Sequence, residues 1–162
     1  VSWVAKDSNK NWSSVAMSDD SKIQTAVANG GIYTSANFGA NANWTAVGNT
    51  NRNWKSVAMS GDGAKQTAVV AGGQIYVSSD SGVSWVAKDS NKNWSSVAMS
   101  GDGAKQTAVV AGGQIYVSSD SGDTWIASSA GQTTNWSSVA MSGDGAKKIA
   151  TVYNGWIYTR DN

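Results

Sequence analysis

The 162-residue sequence predicts an all-β chain built from repeated antiparallel units, and three observations support this. Residues 56–82 recur letter for letter at 96–122, and residues 1–18 recur at 83–100. Leu, Pro and Glu are absent, while Val, Ile, Thr, Tyr and Trp fill the apolar positions, which is typical of strands. A tryptophan precedes each recurring S-V-A-M-S segment, at intervals of 40 or 42 residues; these are Trp12, Trp54, Trp94 and Trp136.

Each unit divides into four short strands, as the second unit shows. We expect strands at residues 55–60, 66–71, 74–79 and 84–88, joined by Gly- and Asp-rich turns. The second strand, T-A-V-V-A, is apolar on both faces and therefore needs a neighbour on each face. A period of about 40 residues with four strands per unit is typical of a β-propeller. We predict a single repeat domain, 1–162, with blades at about 12–48, 54–88, 94–128, and 136–162 plus 1–6.

The N-terminal segment is expected to complete the last blade. Residues 1–6 have the same letters as residues 83–88, the predicted fourth strand of the second blade, and the last blade stops after three strands. Pairing of these segments would hide two strand edges. Closure within one chain gives a four-bladed monomer, and closure between two chains gives an eight-bladed homodimer. We favour the dimer. A four-bladed ring needs a wide angle between neighbouring blades, whereas these units are compact and their inner strands consist mostly of Ser, Ala and Val.

The turn between the third and fourth strands carries the most specific motif, S-x-D-x-G-x-[ST]-W. The Asp can accept backbone N–H groups, Gly permits positive φ, and Trp covers the hairpin. The motif resembles the Asp-box, or BNR repeat, of sialidase-like, sortilin-like and photosystem-assembly-factor-like β-propellers. The resemblance spans essentially the whole chain and implies a structural role at the periphery. The two intact motifs are Ser78, Asp80, Gly82 and Trp85, and Ser118, Asp120, Gly122 and Trp125.

Two further copies of the motif are degenerate. The first unit has Asn37 where the motif has Asp, and extra residues before Trp44. The fourth copy is split between Asp161 and Asn162 at one end and Trp3 at the other. Two intact and two degenerate motifs fit amplification of a natural blade segment, by evolution or by engineering, better than a fully symmetric design.

Composition argues against catalysis. The chain has no His, Cys or Glu, and therefore lacks the ordinary general bases and thiolate nucleophiles. The resemblance suggests sialidase activity as one possibility, and that chemistry needs an arginine cluster and a Tyr–Glu pair. This sequence has only two arginines, Arg52 and Arg160, and no Glu. We therefore predict no enzyme, no catalytic residues, no cofactor and no metal; each repeated turn offers a single carboxylate to Ca²⁺.

The charge and hydropathy patterns bear on partners. The net charge is +1, with 12 basic and 11 acidic residues, so the chain has no strong positive electrostatic field to attract nucleic acid. No apolar run approaches the roughly 20 residues of a membrane helix. We predict a non-catalytic scaffold, natural-derived or designed, that self-assembles into a ring. The alternative is a carbohydrate- or protein-binding module with weak glycan binding, using linkers at 7–11, 49–53, 89–93 and 128–135.

Overall fold

The computed structural model describes residues 2–38, 43–47, 51–128 and 132–161. These residues form no helix, and so no helix that is long and apolar enough to cross a membrane. The prediction of an all-β chain with antiparallel sheets is confirmed. The strands in chain order are β1 (Trp12–Met17), β2 (Gln24–Ala28), β3 (Gly31–Ser35), β4 (Thr45–Val47), β5 (Trp54–Met59), β6 (Gln66–Ser78), β7 (Val86–Met99), β8 (Gln106–Gly113), β9 (Ile115–Ser118), β10 (Ile126–Ala127), β11 (Thr134–Met141), β12 (Lys147–Val152) and β13 (Ile157–Asp161).

The strands form four successive units with one pairing pattern. Unit 1 is the sheet β1-β2-β3-β4. Unit 2 consists of β5, β6 and the start of β7, and unit 3 consists of the rest of β7 with β8, β9 and β10. Unit 4 consists of β11, β12 and β13. A β-bulge follows the first tryptophan of every unit, where that strand pairs with the second.

The predicted linker at residues 89–93 is part of a strand, which corrects the expectation of a loop. Strand β7 runs without a break from the last strand of unit 2 to the first strand of unit 3. The cause is continued pairing: Ala71 lies opposite Asn93, and Gly73 lies opposite Lys92. Backbone groups of the linker therefore find partners on β6, as backbone groups in a folded chain must.

Unit 4 has three strands, and β13 lies at the edge of the described sheet. Residues 2–6, the segment predicted to complete this unit, form no strand, and the side chains of Trp3 and Val4 are exposed. The core clusters join neighbouring units, and the N-terminal segment precedes unit 1, at the other end of the row. In the described residues, no strand pairs with the free edge of β13, and the predicted pairing with residues 2–6 stays a prediction.

One apolar cluster lies at each interface between neighbouring units. In every cluster, the first tryptophan of a unit and a valine three residues later pack against the preceding unit. The same tryptophan meets a tyrosine of its own unit edge to face, with ring centroids 5.0 to 5.1 Å apart. Each interface therefore repeats the last one. The pairs are Trp54 and Tyr76, Trp94 and Tyr116, and Trp136 and Tyr158.

Four units in a row make three interfaces and leave two apolar faces open. Val15 of unit 1 is 72% exposed, whereas Val57 and Val97 at the same position are each 5% exposed. At the other end, Ile157 is 68% exposed, whereas its counterpart Ile75 is fully buried. The described chain is therefore an open row. We call the free face of unit 1 the leading face (Trp12, Val15, Met17) and that of unit 4 the trailing face (Ile149, Ile157).

Candidate functional site

The predicted Asp-box residues of unit 2 lie together in one turn. Asp80 Oδ1 accepts hydrogen bonds from Ser78 Oγ (2.8 Å) and from the Ser84 backbone N–H (2.9 Å). Asp80 Oδ2 accepts a hydrogen bond from Ser84 Oγ at 2.5 Å. The backbone N–H of Gly82, which has a φ of 84°, donates to Ser78 Oγ, and Trp85 Nε1 donates to the Gly82 carbonyl. The turn of unit 3 repeats these contacts with Ser118, Asp120, Gly122, Thr124 and Trp125.

These hydrogen bonds set the charge state of the two box carboxylates. The Ser84 hydroxyl, followed by the Ser84 N–H and the Ser78 hydroxyl, lowers the pKa of Asp80 to about 2. The Thr124 hydroxyl, with the same two kinds of donor, lowers the pKa of Asp120 to about 2. Each carboxylate is thus ionised at neutral pH and bonded to its own turn. The described residues contain no group of three or more Asp that could hold a metal ion.

The degenerate motifs keep only part of this arrangement. In unit 1, Ser35 Oγ donates to the Asn37 carbonyl (2.9 Å) and accepts the Asn37 N–H (3.3 Å). In unit 4, Asp161 lies 3.5 Å from the Lys147 ammonium in an exposed ion pair. Asn162, the other half of the split motif, lies outside the described residues, and so does the glycine at position 39.

A second carboxylate turn, S-G-D-G, ties neighbouring units together. Asp62 Oδ1 accepts hydrogen bonds from Ser60 Oγ (2.6 Å) and the Ala64 N–H (3.0 Å), and the Ser60 hydroxyl is the largest cause of its lowered pKa. The Gly61 N–H donates to the Gly101 carbonyl of the next unit at 2.7 Å. In the same way, the Gly101 N–H donates to the Gly143 carbonyl, and the Asp19 N–H donates to the Gly61 carbonyl. A Cβ at Gly61 would lie 2.4 Å from Asp19 Oδ2, so a side chain at this one position would force Asp19 to move.

The linkers that were predicted as sugar-binding candidates hold their aromatic rings against lysines. Lys92 Nζ lies 5.1 Å from the ring centroid of Trp94 and 4.7 Å from that of Tyr116, and it also pairs with Asp89 Oδ1 at 2.9 Å. Lys10 repeats this arrangement in unit 1. The rings are therefore covered by cations. Positions 49, 50 and 129–131 of the other two linkers lie outside the described residues.

A cavity of about 350 Å³ lies between units 3 and 4, beside their apolar cluster. Ile115 and Val117 of unit 3 form one wall, and Trp136, Val139 and Tyr158 of unit 4 form the other. Sequence reasoning did not predict this cavity.

The polar side of the cavity differs from the equivalent site in the other interfaces. Thr25 Oγ1 donates to Gln66 Oε1, and Thr67 Oγ1 donates to Gln106 Oε1, each at 2.7 Å. Unit 4 has Lys148 in place of this glutamine. Thr107 Oγ1 is consequently buried with no hydrogen-bond partner in the described structure. The pKa of Lys148 is lowered, chiefly by burial and then by the charges of Arg160 and Lys105. Aligning the four units would have revealed this substitution.

Comparisons with known proteins identify the fold. No protein-family model matches the chain, and no curated protein matches it. Among solved structures, the computationally designed Ika4 protein covers 98% of this chain with a TM-score of 0.77 at 10% identity. The RRP9 WD40 repeats cover 95% with a TM-score of 0.80 at 8% identity, and an ancestral GH74 enzyme covers 93% with a TM-score of 0.71 at 19% identity.

These similarities show the fold alone, because every identity is below 25%. The chain has the fold of β-propeller proteins. It spans 95% of the designed protein, but only 49% of the RRP9 structure and 22% of the GH74 enzyme. The predicted propeller architecture is confirmed at this level.

Proposed function

We propose that this chain is a non-catalytic repeat scaffold whose main property is self-assembly of two copies into a closed, eight-bladed ring. The observation that carries the proposal is the contrast at one repeated position. Val15 is 72% exposed, whereas Val57 and Val97 are each 5% exposed. Because an exposed apolar face of this kind marks an interaction surface, the leading face needs a partner.

The trailing face has the chemistry to be that partner. Units 1 to 3 each present an apolar face to the next unit, and Ile157 stands where Ile32 and Ile75 are fully buried. Unit 1 of one copy packed on unit 4 of another would therefore repeat an interface that the chain already makes three times. Two copies related by a two-fold axis would make this contact twice and close a ring.

Two further observations support closure between chains. This chain superposes on about half of the RRP9 structure, so a second copy would supply the other half. The edge strand β13 and segment 2–6, which forms no strand in the described chain, belong to one predicted unit, and exchange of that segment between copies would hide both strand edges. The closed four-bladed monomer would instead require the leading and trailing faces of one chain to meet, and the described chain leaves both exposed.

The non-catalytic part of the proposal rests on how the carboxylates are used. Asp80 and Asp120 are bonded to donors of their own turns, which is the structural role that the Asp-box resemblance implies. We assign these turns to the Asp-box (BNR) type on that geometry. The RRP9 WD40 repeats and the designed Ika4 protein agree with a scaffold, and the likeness to a GH74 enzyme is one of fold.

Electron microscopy of the purified chain tests the assembly. Class averages should show closed rings of eight blades. A closed ring of four blades, or open rows of four blades at concentrations above the dissociation constant, would contradict the proposal.

A binding module is the second candidate, and one observation favours it. Tyr153 and Trp156 are exposed on either side of the hairpin tip between β12 and β13, where units 2 and 3 have Ala-Gly-Gly-Gln. Exposed aromatic rings can stack on sugars. A glycan array with the chain and its Trp156→Ala variant tests this. Binding that the variant loses would support a lectin-like site, and signal no higher than that of the variant would exclude it.

A further inference from the structure

The cavity between units 3 and 4 lies where the other interfaces hold a tryptophan. Trp85 packs into the cluster that joins units 1 and 2, and Trp125 packs into the cluster that joins units 2 and 3. The cluster that joins units 3 and 4 contains no such residue from the fourth strand. The repeat places Trp3 at this position, and Trp3 is fully exposed.

The aromatic wall of the cavity corresponds to that of the filled sites. The Trp125 ring lies 6.5 Å from the Trp94 ring, and Trp44 lies 6.5 Å from Trp12. Trp136 occupies the same position in unit 4 and borders the cavity. An apolar cavity of about 150 Å³ can hold benzene, so about 350 Å³ has room for an indole.

We infer that this cavity is the receptor for the indole of Trp3 from a second copy of the chain, carried on residues 2–6 as an added strand beside β13. The inference rests on the proposed self-assembly and adds its recognition element. Side chains alternate between the faces of a strand, so Trp3 and Ala5 would face unit 3 together with Tyr158. In the complete units, the indole N–H of the equivalent tryptophan donates to a glycine carbonyl of its own turn, so this N–H needs no partner from the cavity wall.

The complete units fix the register of the added strand. In unit 2, Val86 lies opposite Val77, and Ala87 lies opposite Tyr76. Unit 3 has the same register, with Ile126 opposite Val117 and Ala127 opposite Tyr116. Transferred to unit 4, this register places Val4 opposite Thr159, Ala5 opposite Tyr158 and Lys6 opposite Ile157.

Cysteine cross-linking tests the register and the identity of the partner, because the chain has no natural cysteine. A chain with Val4→Cys and Thr159→Cys should form a disulfide between two chains under mild oxidation, since directly opposed residues meet the distance that a disulfide requires. A chain with Ala5→Cys and Thr159→Cys is the matched control and should cross-link at least tenfold less. Cross-linking within one chain, seen as a product of monomer size on a non-reducing gel, would overturn the inference.

Replacement of the indole tests the cavity itself. Trp3→Ala should weaken dimerisation at least about a hundredfold, judged from the usual cost of truncating a buried tryptophan. Phe38→Ala, which removes an exposed aromatic ring elsewhere, should leave dimerisation unchanged. The free hexapeptide V-S-W-V-A-K should compete with dimerisation of the natural chain, and V-S-A-V-A-K should not.

The outcomes separate the inference from the proposed function. A dimer that forms normally but gives no 4–159 cross-link, or that is unaffected by Trp3→Ala, would overturn the cavity assignment and leave ring assembly standing. Absence of any dimer of the natural chain would overturn both.

Discussion

Replacing Val15 by alanine tests whether this side chain is buried between two chains, as its counterpart Val97 is buried within one chain. Residues 11–18 and 93–100 have the same sequence, N-W-S-S-V-A-M-S, yet Val15 is 72% exposed and Val97 is 5% exposed. Val→Ala removes two carbon groups, each contributing about 0.8 kcal/mol when buried. A two-fold ring contains this site twice, so the substitution should weaken the dimer by about 3 kcal/mol, about a hundredfold or more in the dissociation constant.

Sedimentation equilibrium over a dilution series measures this change. Val15→Ala should leave the free energy of unfolding of the dissociated chain within about 0.5 kcal/mol of the natural value. The matched substitution Val97→Ala should instead lower that free energy by about 2 kcal/mol, because it leaves a cavity inside the chain. An unchanged dimer dissociation constant for Val15→Ala would refute the assignment of the leading face as an interface.

Three other predictions concern the turns and the polar side of the cavity. The carboxylates of Asp80 and Asp120, with pKa values of about 2 against an ordinary value near 3.8, add stability that is present above about pH 4 and lost as the pH falls towards 2. The melting temperature of the natural chain should therefore fall more steeply over that window than that of the double Asp→Asn variant, and parallel curves would contradict this. Thr107→Val should be neutral or stabilising in urea unfolding, whereas Thr67→Val should cost about 1–3 kcal/mol because it leaves a buried amide oxygen without a donor; the reverse order would contradict the hydrogen-bond assignment. Lys148→Gln should add about 1 kcal/mol by restoring an acceptor for Thr107 and removing a half-buried charge, and a loss of stability would count against that explanation.

The repeat architecture was predictable because the sequence repeats its own letters. The period of 40 to 42 residues, the apolar second strands and the glycine turns predicted antiparallel four-stranded units. Most strands lie close to the expected positions, but the two strands expected at 66–71 and 74–79 form one continuous strand, β6. The box turns were also predictable, since Ser78, Asp80 and Gly82 bond within five residues of one another. Such local contacts depend little on the rest of the fold.

The differences between units were not predictable from the letters alone. Identical residues such as Val15 and Val97 differ in exposure because one has a neighbouring unit and the other does not. The prediction of a loop at 89–93 was wrong because it rested on the polar residues of this segment, while its backbone pairs with β6. The cavity between units 3 and 4 was not predicted either, because the repeat alone does not show which residues occupy the position of Trp85 and Trp125 in unit 4.

The mass of the chain in solution is the most direct test of ring assembly. One chain has a mass of 16.8 kDa. Light scattering coupled to size-exclusion chromatography should give about twice that value, and Trp3→Ala or Val15→Ala should shift the mass towards that of one chain on dilution. A mass of one chain at every concentration would contradict the two-chain ring.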